Sequence, residues 1–210
     1  MKKTFVLVVL FIFPLVAYLF FASGVNNFGK LPVLTENVPE PIQFSGDNQL
    51  TDKITILGFL GKNIGKKKGN AFNLNQKIYK RFSEFNDFQM LMIVPNGLED
   101  EVGALKEELG ALSEVDKWNF AFGEEGDVQN FFRSLGTNLE LGQDFSTPYV
   151  FIIDKDRNLR GRNDDEDEGV KFGFNTTSVA ELNNKMEDDV KIILAEYRLA
   201  LKKNNANRSK

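Results

Sequence analysis

The 210-residue chain contains neither cysteine nor histidine. Without a thiolate there is no disulfide, no thiol redox chemistry and no Cys-based nucleophile. Without imidazole there is no Ser-His-Asp triad and no His-based metal centre. A soft metal such as copper, which prefers thiolate and imidazole, finds no such donor here. The first 30 residues also lack any acidic side chain. Lys2, Lys3 and Lys30 are their only charged side chains, which leaves 23 of the 26 cations and all 30 carboxylates to the rest of the chain. That acidic excess excludes a general nucleic-acid binder.

The N-terminus is rich in apolar residues. Residues 5 to 22, FVLVVLFIFPLVAYLFFA, carry no charge. A helix of about 20 such residues spans a hydrocarbon core of about 30 Å. Lys2 and Lys3 precede it, and no cation follows before Lys30. Positive charge kept on the cytoplasmic side predicts an N-in anchor with the remainder outside the cytoplasm. Pro14 is tolerable in such a helix. A cleaved signal peptide is the competing reading, since Ala22, Ser23 and Gly24 are small. The run is longer than the about 7–15 residues of a signal core and keeps bulky aromatics to its end, so retention is expected. With no Cys after it, a lipoprotein anchor is excluded.

Residues 24 to 51 are rich in Asn, Gly, Pro and Ser, and read as a tether with a short hairpin around Gly46-Asp47. Strand and helix signals then alternate. Lys53 to Leu60 (KITILGFL) is a buried strand, and Asn70 caps a helix running to about Phe85. Phe88 to Val94 is a strand and Leu98 to Leu112 a helix. Lys117 to Phe122 is a strand, Asp127 to Leu135 a short helix, Tyr149 to Asp154 a strand and Leu159 to Arg162 its return. Ser178 and Glu181 form a capping-box pattern opening a long last helix. The order β-α-β-α-β-α-β-β-α predicts a mostly parallel sheet, helices on both faces and an antiparallel edge hairpin. The predicted division is an anchor over 1–23, a tether over 24–51, one α/β domain over 52–203 and a disordered tail over 204–210.

Two charge clusters invite a functional reading. Lys62, Lys66, Lys67 and Lys68 lie in a glycine-flanked loop before a predicted helix N-terminus, a place that favours anions. A phosphate, a lipid headgroup or an acidic partner surface would fit, against the plainer reading of a solvated basic loop. No P-loop pattern runs through it. Asp164, Asp165, Glu166, Asp167 and Glu168 form the densest acidic run. A calcium loop starting at Asp164 would need Glu at its twelfth position, where Asn175 stands. The run therefore reads as an electrostatic docking patch or a solvated connection, with weak divalent-metal binding as the alternative. Asp188 and Asp189 read as plain surface on the last helix. Phe59 and Leu60 are expected to be buried against Pro148, and Asn175-Thr176-Thr177 is a formal glycosylation sequon.

Three stretches carry a resemblance: ITILGFLG, KWNFAFGEEGDVQNFFRSLG and STPYVFIIDKDRNLRGR. Together with the anchor they make the chain similar to thioredoxin-fold proteins, and within that fold to the membrane-tethered Sco-type copper chaperones of cytochrome c oxidase assembly. The resemblance implies a thioredoxin-like domain, with Pro148 as the proline, expected cis, that faces the reactive loop. The family's Cys-x-x-x-Cys would fall in Gly61 to Lys67, and its His in Asp144 to Pro148. All three copper ligands are missing. The resemblance without ligands implies a non-catalytic protein without cofactor in a bacterial inner membrane, its domain periplasmic. It would hold lipid through residues 5–22 and assist assembly of a membrane complex, a respiratory oxidase first, by contacts at Lys62, Lys66, Lys67, Lys68, Pro148 and the acidic run. A structural envelope protein that self-associates through its last helix is a further alternative. The oligomeric state is not encoded in these patterns.

Overall fold

The computed structural model describes residues 9–16, 29–46 and 48–208, with side chains through residue 200. Residues 9–16 form a helix (α1) whose Phe11 and Phe13 are both exposed. Among the described residues no helix is long and apolar enough to cross a membrane. The rest of the predicted 5–22 span lies outside them.

The body is built on a mixed sheet ordered β1-β6-β5-β2-β3-β4. Its strands are β1 (Val33–Thr35), β2 (Ile54–Phe59), β3 (Phe88–Pro95), β4 (Trp118–Gly123), β5 (Tyr149–Ile153) and β6 (Leu159–Arg160). Strands β2, β3 and β4 run parallel, whereas β5 is antiparallel to β2, β6 to β5 and β1 to β6. The expectation of a mostly parallel sheet is thus corrected to a mixed one. The added antiparallel edge is β1, which comes from the stretch read as a tether.

Strands β2 and β3 are buried along their whole length, the signature of strands covered on both faces. Alternation sends Ile54, Ile56, Met90 and Met92 to one face, Leu57, Phe59, Leu91 and Ile93 to the other. The first face is covered by three helical regions. One is α2 (Ile64–Leu74), prolonged by a π turn (Asn75–Tyr79) and α3 (Lys80–Phe82). The others are α4 (Glu99–Gly110) and the last helix. The second face is covered by α5 (Glu125–Ser134) and by residues 38–50.

Residues 31–51 are therefore not a free tether. Leu31, Val38, Phe44 and Leu50 are buried, and their apolar side chains outweigh the loop-like proline and asparagine content around them. Among the described residues no hairpin forms around Gly46, and Asp47 lies outside them. Ser45 instead bridges Phe122 of β4. The segment crosses the sheet from its β1 edge to its β4 edge.

Three further differences concern the C-terminal third. After β6 the chain forms a separate hairpin, β7 (Arg162–Asp165) with β8 (Gly169–Lys171), and then β9 (Phe174–Asn175) beside β5. The last helix opens as α6 (Val179–Glu181), passes through a second π turn (Leu182–Met186) and continues as α7 (Glu187–Arg208). It reaches past residue 204, into the stretch where a disordered tail was expected. Only half of the predicted capping box is made. Ser178 accepts from the Glu181 N–H at 3.2 Å, while the Glu181 carboxylate accepts from the Asn175 N–H at 2.8 Å.

Candidate partner-contact site

At the carboxyl end of β2 the chain turns sharply at Gly61, with φ of +66°. A Cβ there would stand 2.3 Å from the Asp144 carbonyl oxygen and 2.7 Å from the Ser146 nitrogen. Only glycine permits this approach, which brings the 142–148 loop against the start of α2. The loop is stitched to β2 by backbone bonds. Lys62 N–H donates to Asp144 O at 2.8 Å, and Thr147 N–H to Phe59 O at 3.2 Å. Leu60 and Ser146 form an isolated bridge.

Asp144 organises this corner. Its Oδ1 accepts from the Ser146 hydroxyl at 2.7 Å and the Ser146 N–H at 3.2 Å, and its Oδ2 accepts from Asn63 Nδ2 at 3.4 Å. Burial pushes the Asp144 carboxyl up. The bonds from Ser146 and Asn63, with the Lys67 charge, outweigh that and hold it below the ordinary carboxylate range. So placed, Asp144 is a weak base, and Ser146 has no imidazole beside it to become a nucleophile. Lys62, Asn63 and Ser146 around it are each hydrogen-bonded or ion-paired to neighbours.

The lysines lie differently from the expected loop. The helix begins at Ile64, well before the predicted cap at Asn70, because Ile64, Ala71 and Leu74 recur on its buried face. Lys66, Lys67 and Lys68 are thus on α2, and only Lys62 precedes it. Lys62 Nζ pairs with Glu125 Oε1 at 2.6 Å and stands 5.0 Å from the Phe145 ring centre. Lys68 pairs with Glu108 at 2.5 Å. Lys67 borders a narrow cleft of about 20 Å³, room for one water, that also involves Asn70, Thr147 and Thr176. Lys66 is exposed.

Pro148 is half-buried beside this corner. Contrary to the cis expectation, no cis peptide bond occurs among the described residues. Trans is intrinsically favoured by about 0.5–1 kcal/mol, and the strand is held on both sides. Thr147 is bound to Phe59, and the Pro148 carbonyl accepts from Thr176 N–H at 2.9 Å and Thr176 Oγ1 at 2.7 Å. Phe59 and Leu60 are buried as expected, and the Phe59 ring meets those of Phe131, Phe132 and Phe151.

The acidic run is not brought to the corner, and it is not uniformly exposed. Asp164, Glu166, Asp167 and Glu168 are on the surface of the β7–β8 hairpin, whereas Asp165 is 5% exposed. Lys185 Nζ lies 2.7 Å from Asp165 Oδ1 and 2.7 Å from Asp167 Oδ2, where a cation would otherwise sit. Burial pushes Asp165 up, and Lys185 more than offsets it, leaving the carboxyl below its ordinary value. Lys171, 1% exposed, pairs with Glu168 at 2.6 Å and Glu181 at 2.8 Å. Asp189 is not plain surface either. It is 2% exposed and takes a bidentate bond from Arg162 at 2.8 and 2.9 Å. Asp188, exposed, pairs with Lys191. Asn175 of the sequon spends its Oδ1 on Thr177.

Sequence reasoning reached the corner's two stretches through the resemblance, but gave Gly61, Asn63, Asp144 and Ser146 no role of their own. The Asp-x-Ser pattern before Pro148, a local side-chain turn, was the available signal.

A sheet with a central parallel pair, an antiparallel β5 ahead of which a proline loop meets the β2–α2 corner, and helices on both faces is a thioredoxin-like fold. Solved structures agree on the fold. BsSco, a member of the Sco family of cytochrome c oxidase assembly proteins, matches at a TM-score of 0.51 and 14% identity, covering 77% of this chain and 95% of its own. A candidate electron transfer protein from Aquifex aeolicus VF5 matches at 0.52 and 13%, covering 77% and 98%. No protein-family profile and no curated protein matches the chain.

Proposed function

We propose that this chain is a membrane-anchored, extracytoplasmic, non-redox thioredoxin-like protein that assists assembly or maintenance of a membrane complex, a respiratory oxidase first. One observation carries the reading. The corner at Gly61–Asn63 and Asp144–Pro148 is built from glycine, amide, carboxylate and hydroxyl groups already bonded to one another. The chain has no Cys or His to supply thiol or copper chemistry there. A thioredoxin-like scaffold without reactive groups retains its surface, and fold alone does not imply activity. The exposed Lys66 and half-buried Pro148 flank that surface and are the contacts assigned to the partner. The apolar run at 5–22 supplies the anchor, and the low-identity likeness to BsSco supports the choice of oxidase assembly.

The test is crosslinking in native membranes with a photoreactive residue at Lys66. An adduct with an oxidase subunit, lost when the probe is moved to exposed Asp164, is the expected result. Capture of no respiratory subunit would defeat the oxidase assignment. Tight stoichiometric binding of Cu(I) by the full chain would defeat the non-metal part of it.

A further inference from the structure

The last helix leaves the body beside the point where the N-terminal segment enters it. Leu31 N–H donates to Glu196 Oε1 at 2.9 Å, and Arg160 binds both Leu31 O and Glu196. One residue on, Tyr197 donates to Asp156 Oδ2 at 3.0 Å. Arg198, Leu199 and Ala200, which follow Tyr197, are all exposed, and the helix continues to Arg208. From residue 198 to 210 the chain carries Arg198, Lys202, Lys203, Arg208 and Lys210 and no acidic side chain. An acidic protein thus gathers five cations in the last turns of this helix and the two residues that follow in the sequence.

The topology also fixes which way that element points. The turn at 154–158, which Tyr197 contacts, lies at the amino end of β2, with Asp52 N–H donating to Lys155 O at 3.0 Å. Gly61 and the 142–148 loop lie at the carboxyl end. A six-residue strand, about 20 Å, separates them.

We propose that the basic end of α7, residues 198–210, docks on anionic lipid headgroups. With the anchor it would hold the body with its contact corner turned away from the bilayer. The proposal rests on the anchored reading above, which supplies the nearby membrane. A cationic helix end with no acidic side chain complements a phosphate-bearing surface. Each cation near such a surface contributes roughly a fivefold factor. An anchor that enters the body at Leu31 keeps that surface within reach of the helix end.

The absence of native cysteine makes the test clean. Full-length chain carrying Ser209→Cys, or separately Gln143→Cys near the corner, is labelled with a fluorophore and reconstituted into phosphatidylcholine or phosphatidylglycerol-containing vesicles. Nitroxide on the lipid headgroup then quenches whichever label lies at the surface. The expected result is strong quenching at 209 only in the anionic vesicles, weakened by salt. The docked-to-free ratio should fall about tenfold or more with Lys202→Glu and Lys203→Glu together, and the label at 143 should stay unquenched. Quenching at 209 that ignores lipid charge, or is absent in both membranes, overturns the docking. Quenching at 143 overturns the orientation. Flotation on neutral vesicles at high salt reads the anchor separately. Failure there removes the anchored reading, and the charge-dependent quenching still decides the docking.

Discussion

Replacing Arg160 with Met is the most searching perturbation of this fold. Arg160 is 5% exposed and is held by three partners. Nη1 donates to Asp154 Oδ2 at 2.9 Å, Nη2 to both oxygens of Glu196 at 3.0 and 2.9 Å, and Nε to Leu31 O at 2.8 Å. Methionine fills similar volume without charge or donors. It leaves Asp154, 1% exposed, with a buried carboxylate lacking its cation. Removing one partner of a buried pair costs about 3–5 kcal/mol. Asp154 keeps bonds from the Asp156 and Asn158 N–H groups through Oδ1, which argues for the lower part of that range. At about 2 kcal/mol per M of urea the unfolding midpoint falls by about 2 M. Emission of Trp118, the single tryptophan and 1% exposed, reports the transition. Adding Asp154→Asn to Arg160→Met removes the stranded charge and should restore about half of the loss. A single variant within about 1 kcal/mol of the parent, or a double variant no better than the single, would refute the account of a buried charge held by its partners.

Gly61→Ala combines a left-handed backbone, costing about 1–2 kcal/mol, with a Cβ 2.3 Å from a carbonyl oxygen. Its urea midpoint should drop by about 1–2 M, and an unchanged midpoint would show that the corner yields freely. Asp165 is held below its ordinary value of 3.8 and Asp189 above it by burial, which Arg162 only partly offsets. The stability that Asp165 contributes is present above the unfolded pKa and lost as pH falls through the folded one, whereas Asp189 opposes folding as pH rises through its window. Asp165→Asn should therefore flatten the loss of stability measured by urea titration between about pH 5 and 3, and Asp189→Asn should steepen it.

Much of the sheet is legible in the sequence, because ITILGF and FQMLMIV are continuous apolar runs that only buried strands between two layers require. The start of α2 is not. Gly65 and Gly69 lower its helix propensity, and the helix forms because Ile64, Ala71 and Leu74 find the sheet. Asp189 is misplaced for a different reason. It flanks the buried Val190 on the stripe's edge, and Arg162 of β7 covers it with a bidentate bond, a tertiary partner that no helical count reveals. The tether reading fails because composition weighs Pro and Asn equally wherever they stand, while Leu31 packs on the first face of the sheet and Val38, Phe44 and Leu50 on the second. The contact corner is named only by the resemblance, through Gly61–Lys67 and Asp144–Pro148, and its bonds are hidden because Asn63 and Asp144 meet across 81 residues of chain.

The hold on Leu31 also determines how this protein answers a pull. Tension arriving from the N-terminal side meets the Glu196 and Arg160 bonds first, and these pass it into α7 and the β6 edge. Beyond Leu31, the strap that ends against β4 is left slack. Strand β2 lies inside the sheet, with β5 and β6 between it and the loaded edge. A domain pulled from its N-terminal side would thus keep Gly61 and Pro148 in register.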